Sequence, residues 1–224
     1  MVSSSLGRKF VMALTGLFLI SFLVVHLAGN LLLFKEDGGV AFNAYAHFMS
    51  TNTIVRFLEI VLFAGIIFHF AEGVSLVLKN RQARPKVYAM KGGNGASWAS
   101  RWMGALGGII TVFLVLHLSN FFYKSRLATP GPGVIDVIDA EGTRDMYSVV
   151  REAFAAEWYS AVYVVSMVGL AFHLLHGFSS AFQSLGLSHR GYALQVRRLS
   201  TAFAILVPLA FASMPIYFYL RSLN

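Results

Sequence analysis

Residues 10–34 read FVMALTGLFLISFLVVHLAGNLLLF, 25 consecutive positions without Asp, Glu, Lys or Arg. A helix needs about 20 apolar residues to cross ~30 Å of hydrocarbon. Core helices of soluble domains are shorter and keep a polar stripe. The stretch therefore reads as a transmembrane helix from about Phe10 to Phe34. Arg8 and Lys9 precede it, as in a signal peptide. It is too long for a signal core, however, contains His26 and Asn30, and has no small-residue cleavage site before the charged loop. A retained helix is expected.

Four more runs of this kind follow, about Thr53–Leu78, Trp102–Tyr123, Trp158–Gly186 and Thr201–Leu220. The expected fold is one all-α integral membrane domain of five transmembrane helices over residues 1–224. Only 12% of residues are charged, against about 25% in soluble domains, and the mean hydropathy is +0.66. Trp102, Tyr123, Trp158, Tyr159, Tyr217 and Tyr219 fall near run ends, where interfacial aromatics belong. The loop between the third and fourth runs is broken by Pro130–Gly131–Pro132–Gly133. Thr143–Phe154 within it reads as a short surface helix, and no internal repeat stands out.

The net charge of +8 is not that of a nucleic-acid binder, because the basic residues lie between apolar runs. Arg8 and Lys9 flank the first run. The second loop carries Lys79, Arg81, Arg84, Lys86, Lys91 and Arg101, and the fourth carries Arg190, Arg197 and Arg198, neither with an acid. The other two loops are mixed or acidic, with Lys35, Glu36 and Asp37 in one, and Asp136, Asp139, Glu141, Asp145, Glu152 and Glu157 in the other. By the positive-inside rule the N-terminus is cytoplasmic and the C-terminus lies outside.

There is no cysteine. That removes disulfides, covalent haem attachment through CxxCH and thiolate-held iron–sulfur clusters. Histidine is the remaining ligand for a redox cofactor. Of seven histidines, His47 and His189 fall in loops. His26, His69, His117, His173 and His176 lie inside apolar runs, where ionisable side chains are costly and usually functional. A single such histidine reads equally well as an interhelical hydrogen-bonding residue. Four runs each carrying one is a different pattern. Two bis-histidine haems need one ligand from each of four helices facing a bundle interior.

Depth pairs them. His26 lies about 17 residues beyond Lys9 and His117 about 16 beyond Arg101, each ~25 Å from the cytoplasmic face at 1.5 Å per residue. They form an outer pair. His69, about 10 residues before Lys79, is ~15 Å from that face and needs a partner on the fourth run. Depth mildly favours His176 over His173 and leaves both open. With both axial positions filled, such haems transfer electrons rather than bind substrate. Gly16, Gly29, Gly65, Gly73, Gly104, Gly107, Gly108, Gly169 and Gly177 suit either close helix packing or a flat macrocycle.

The sequence resembles a known family across nearly its whole length. The matching pieces are GRKFVMALTG (7–16), HLAGN (26–30), AFNAYAHF (41–48), FHFAEG (68–73), His117-Leu118, FHLLHG (172–177) and AFQSLG (181–186). Together they resemble the single-chain, five-helix, di-haem cytochrome b subunit of succinate dehydrogenase and fumarate reductase. In that family the fourth-helix ligand precedes one glycine by four positions and the helix-ending glycine by thirteen. The resemblance thus selects His173, ahead of Gly177 and Gly186, and leaves His176 a hydrogen bond to a propionate or a neighbouring helix.

The resemblance implies two haems b, the outer on His26 and His117 and the inner on His69 and His173, in a bundle of the first four helices of a multi-pass protein of the bacterial cytoplasmic membrane. It further implies a flavoprotein subunit and an iron–sulfur subunit docked on the cytoplasmic side, electron flow through inner then outer haem to quinone, commonly menaquinone, and no dicarboxylate site in this chain. Arg84, Lys86, Lys91 and Arg101 face that partner side and equally suit anionic lipid. Quinone candidates by location are Asn30, His47, Arg56 and Glu59, although Arg56 and Glu59 also suit an i,i+3 ion pair. Glu72, one turn past His69, suits either a proton path or a hydrogen bond. Competing readings are the cytochrome b anchor of a hydrogenase or formate dehydrogenase, and a cofactor-free membrane transporter.

Overall fold

A computed structural model of the chain describes residues 5–82, 98–126, 144–187, 189 and 191–224. Arg84, Lys86, Lys91, the Pro130–Gly133 breaker, Asp136, Asp139, Glu141 and Arg190 lie outside the described residues. Among those described there is no β-strand. Helix α1 (Ser5–Asn30) tightens into a 3-10 turn, Leu31–Phe34. Then come α2 (Val40–Thr51), α3 (Thr53–Gln82) and α4 (Trp98–His117), which continues through a π-helical segment, Leu118–Phe122, into α5 (Tyr123–Arg126). The last three are α6 (Met146–Ala155), α7 (Glu157–Ser184) and α8 (Ala193–Ser222).

Five helical spans are long and apolar enough to cross a membrane: Leu6–Phe34, Thr53–Asn80, Arg101–Arg126, Glu157–Ser184 and Ala193–Ser222. Each contains most of one expected run. The largest difference is α8, which begins at Ala193 rather than Thr201, because the helix continues through Gln195, Arg197 and Arg198. Long basic side chains lie along a helix end with their charged heads in the polar region, so such a turn remains helical. Pro208 and Pro215 lie inside α8, tolerated because neighbouring helices and local adjustments compensate for the missing backbone bonds.

Local chemistry sets the ends. Asn52 accepts from the backbone N–H groups of Ile54 (3.0 Å) and Val55 (3.2 Å) and so starts α3. Gly186, at φ +72°, stops α7: its N–H donates to Gln183 and that of Leu187 to Phe182, the left-handed cap that a glycine best supplies.

Helix α7 is the hub, packed along α8, α4 and α1, while α3 packs on α1 and to a lesser extent on α4. The most apolar window of α3 buries no residue, and Ile54, Phe57, Ile60, Ile67 and Phe68 are exposed on it. Val112, Val115, Val165, Leu206 and Leu209 are likewise exposed on other spans. An apolar surface of this extent is consistent with helices that face lipid.

At one end, α2 and α6 fold over the spans. Their Phe42, Val150 and Phe154 join Leu33, Tyr159, Tyr163, Met214 and Phe218 in the principal buried cluster. The short helix expected in this loop is thus α6, Met146–Ala155, with Val149, Val150 and Phe154 buried, while Thr143 lies outside the described residues. Segment 40–51, read from sequence as loop, is also a helix, and His47 lies on it. Asp145 ties the two: it accepts from Ser148 N (3.0 Å) and Oγ (2.6 Å) and from Asn43 Nδ2 (2.8 Å), while Asn43 Oδ1 accepts from Tyr147 N (2.9 Å). Burial pushes this carboxyl up, but the hydrogen bonds from Ser148 and Asn43 outweigh it and hold the group below its ordinary range.

Candidate functional site

Four of the five membrane-length helical spans carry a histidine, and they bring their rings together two by two. His26 on α1 meets His117 on α4, with ring centroids 5.7 Å apart and planes at 88°. His69 on α3 meets His173 on α7 at 6.3 Å and 68°. In both cases the partners come from helices that are not the main packing neighbours, since α1 packs chiefly on α3 and α7, and α4 chiefly on α7. Among the described residues no ring contact joins His176 to His69. Thr15 sits beside His69 and His26 lies eleven positions on, so the two pairs are about 16 Å apart along α1.

The first pair lies in an aromatic box. Phe22 stacks on His26 at 5.2 Å, Phe211 of α8 lies 5.6 Å from it, and Phe113 and Phe121 flank His117 at 5.7 and 5.4 Å. Helix α8 has no histidine yet closes this pocket. The Nδ1 atom of His117 lies 3.3 Å from the Tyr163 hydroxyl, itself 2.9 Å from that of Tyr159, which accepts from the Asn120 amide at 3.0 Å. On the other ring, Asn30 Nδ2 lies 3.4 Å from His26 Nδ1 and donates at 2.8 Å to the His26 carbonyl.

The second pair is framed differently. Thr15 Oγ1 lies 3.1 Å from His69 Nδ1 while donating to the Val11 carbonyl at 2.9 Å. With its proton so directed, the hydroxyl accepts from a ring protonated at Nδ1, which leaves Nε2 free to bind a metal. Nδ1 of His173 is buried without a hydrogen-bond partner, a cost that a bound group or water would relieve. One turn beyond these two histidines, a Cβ on Gly177 would meet nothing within 4 Å and one on Gly73 only Met12 at 3.8 Å. By contrast Gly65 fits tightly against Phe18 at 2.9 Å and Gly104 against Val77 at 3.0 Å. These last two make close helix packing, whereas Gly73 and Gly177 leave room.

Glu72 carries a buried oxygen without a hydrogen-bond partner, 3.9 Å from Arg8 NH1, which also bonds the Ser75 hydroxyl. The quinone candidates do not converge on one point. Arg56 donates to Glu59 at 3.1 Å, and Glu59 also accepts from Arg126 at 2.8 Å. Arg126 further donates to the carbonyls of Ser50 (2.7 Å) and Met49 (3.3 Å), clamping α2, α3 and α5 together. Asn30 stays beside His26. His47 is exposed on α2, and its carbonyl accepts from Ser50 and Thr51.

Comparison with protein-family models, curated proteins and solved structures gives no match. The functional reading therefore stands on the histidine pairs and the sequence resemblance.

Sequence reasoning passed over Thr15, Asn120, Tyr163 and Arg126. The hydroxyl of Thr15 on an apolar run carries no signal of its own. Tyr159 is read from sequence as interfacial, as exposed Trp158 beside it is, yet Tyr159 is only 6% exposed and hydrogen-bonded inside the cluster. The one available signal was the Tyr159–Tyr163 spacing of four, which places two phenols on one helix face.

Proposed function

We propose that this chain is the membrane-anchor cytochrome b subunit of a succinate:quinone oxidoreductase, with His26 and His117 holding an outer haem b and His69 and His173 an inner one. The observation that carries the reading is the spacing of the two histidine pairs. A metal between two imidazole nitrogens at about 2 Å each sets the ring centroids about 6 Å apart. The pairs stand at 5.7 and 6.3 Å. Among the described residues no group of three or more His, Cys, Asp or Glu side chains is arranged for a bare metal ion. Two imidazoles alone suit a metal whose other ligands come with it, as iron does in haem. The space beside Gly73 and Gly177 fits a flat group at the inner pair.

A haem held by these two histidine pairs would supply one-electron transfer. The chain's own residues do the rest. Helices α1, α3, α4 and α7 hold the four imidazoles at two depths, the phenylalanines around His26 and His117 keep water from that pair, and Thr15 orients His69. The N-terminus is cytoplasmic in this reading, in a bacterial cytoplasmic membrane, and the basic ends of α3, α4 and α8 face a flavoprotein and an iron–sulfur subunit. Quinone, in this reading menaquinone, reacts at the α2–α6 end, with Asn30, His47, Arg56 and Glu59 as candidate contacts. Purification from native membranes in mild detergent tests the proposal. The chain is expected to carry flavoprotein and iron–sulfur partners, and succinate is expected to reduce its haem. A haem-bearing chain that co-purifies with a hydrogenase or formate dehydrogenase would overturn the succinate assignment.

A further inference from the structure

Among the described residues, His117 alone of the four paired histidines ends a chain of linked side chains, with Tyr163 and Tyr159 buried and Asn120 half-buried. Tyr163 lies 3.3 Å from its Nδ1, Tyr159 2.9 Å from Tyr163, and Asn120 3.0 Å from Tyr159. Asn120 belongs to the π-helical segment Leu118–Phe122 that directly follows His117, an irregularity that often marks functional positions in helices. Both phenols are 6% exposed, and the Tyr163 ring is held by Phe113 and Phe154, each at 4.9 Å. The chain is therefore fixed in place.

Counting protons gives it a direction. With the Asn120 amide nitrogen donating to Tyr159, the remaining links run inward. Tyr159 donates to Tyr163, Tyr163 to Nδ1 of His117, and the ring keeps its proton on Nε2. A metal on Nε2 requires the opposite arrangement. The ring proton then sits on Nδ1 and donates to Tyr163, Tyr163 donates to Tyr159, and Tyr159 donates to the Asn120 oxygen after a half-turn of the amide. Both phenols donate one hydrogen bond and accept one in either direction; the ring proton, the two hydroxyl protons and one amide change place. The other rings lack this: His26 has Asn30 at 3.4 Å, His69 has Thr15, and Nδ1 of His173 has no partner.

We propose that Tyr163, backed by Tyr159 and Asn120, is a positioning residue that holds His117 protonated at Nδ1 and lowers the reduction potential of the iron bound at Nε2. The inference rests on the haem reading above. An acceptor at Nδ1–H makes the imidazole a stronger donor to its metal and so favours the oxidised iron, hydrogen bonding around the ligand being one of the protein's means of setting a potential.

The test is a potentiometric titration with EPR of the purified chain carrying Tyr163→Phe, which preserves the aromatic packing. Both haems are expected to remain, the midpoint of one to rise, its low-spin EPR signal to shift and the other haem to stay unchanged. Tyr159→Phe is expected to give a smaller rise of the same sign, and Phe218→Leu, which disturbs packing in the same cluster where its ring meets Tyr147 and Tyr217 and neither histidine pair, none. Two bound haems with wild-type midpoints in Tyr163→Phe would overturn the inference and leave the haem reading intact. A wild-type chain without haem would overturn the haem reading itself. If Tyr163→Phe loses a haem, Tyr159→Phe and Asn120→Leu decide, and unmoved midpoints in both overturn the inference.

Discussion

Arg126→Ala and Arg56→Ala each remove one guanidinium from Glu59, and their costs are expected to differ several-fold. Arg126 and Glu59 are 16% and 19% exposed and meet at 2.8 Å. Hydrogen bonds to charged groups in such settings contribute about 1.5–3 kcal/mol. Arg126 also serves the Ser50 and Met49 carbonyls at the end of α2, each bond adding about 0.5–1.5 kcal/mol before water partly replaces it. A total of about 2–4 kcal/mol follows. Arg56 is 48% exposed and joins Glu59 by an i,i+3 contact at 3.1 Å, a type of pair that contributes about 0.2–0.5 kcal/mol. For a chain of this size 1 kcal/mol moves Tm by about 2–4 °C. Far-UV melts in detergent should then show Arg126→Ala lowering Tm by roughly 5–10 °C and Arg56→Ala by no more than about 2 °C. Glu59→Ala should resemble Arg126→Ala. Equal losses for the two arginines, or none for Arg126, would refute the argument that the clamp is the buried arm of the cluster.

Two further expectations concern the inner pair and the α2–α6 cover. His173→Ala should lose one of two haems by pyridine haemochrome while His176→Ala keeps both, and two haems retained without His173 would contradict the ring pairing. Asp145 has its folded pKa held below the ordinary 3.8, so its contribution is fully present above that value and is lost as pH falls through the folded one. Proteolysis between α2 and α6 should accordingly rise below about pH 4 in the native chain. Asp145→Asn should remove that dependence, and a native chain indifferent to pH in this window would speak against the Asp145 tie.

The five spans were legible because each is an apolar run long enough to cross hydrocarbon, and that signal needs no partner. Helix α2 was not, because VAFNAYAHFMST alternates apolar and polar residues too weakly to show from which side it is buried. The candidate ligands were legible as intramembrane histidines, and depth along the helices paired His26 with His117. Depth mildly favoured His176, whereas the ring that meets His69 is that of His173, three residues earlier, because rotation about α7 chooses it. Arg126 looked like one more positive charge at a run's end, and its partner Glu59 is 67 positions away. Tyr163 escaped for a related reason: a phenol among phenylalanines reads as packing until an acceptor or donor is seen beside it.

The central claim is that four histidines hold two haems, and it is tested most directly by pyridine haemochrome analysis of the purified chain together with a reduced-minus-oxidised spectrum. Two protohaem per chain with low-spin, six-coordinate bands are expected. One haem per chain, or a preparation without a Soret band, would contradict it.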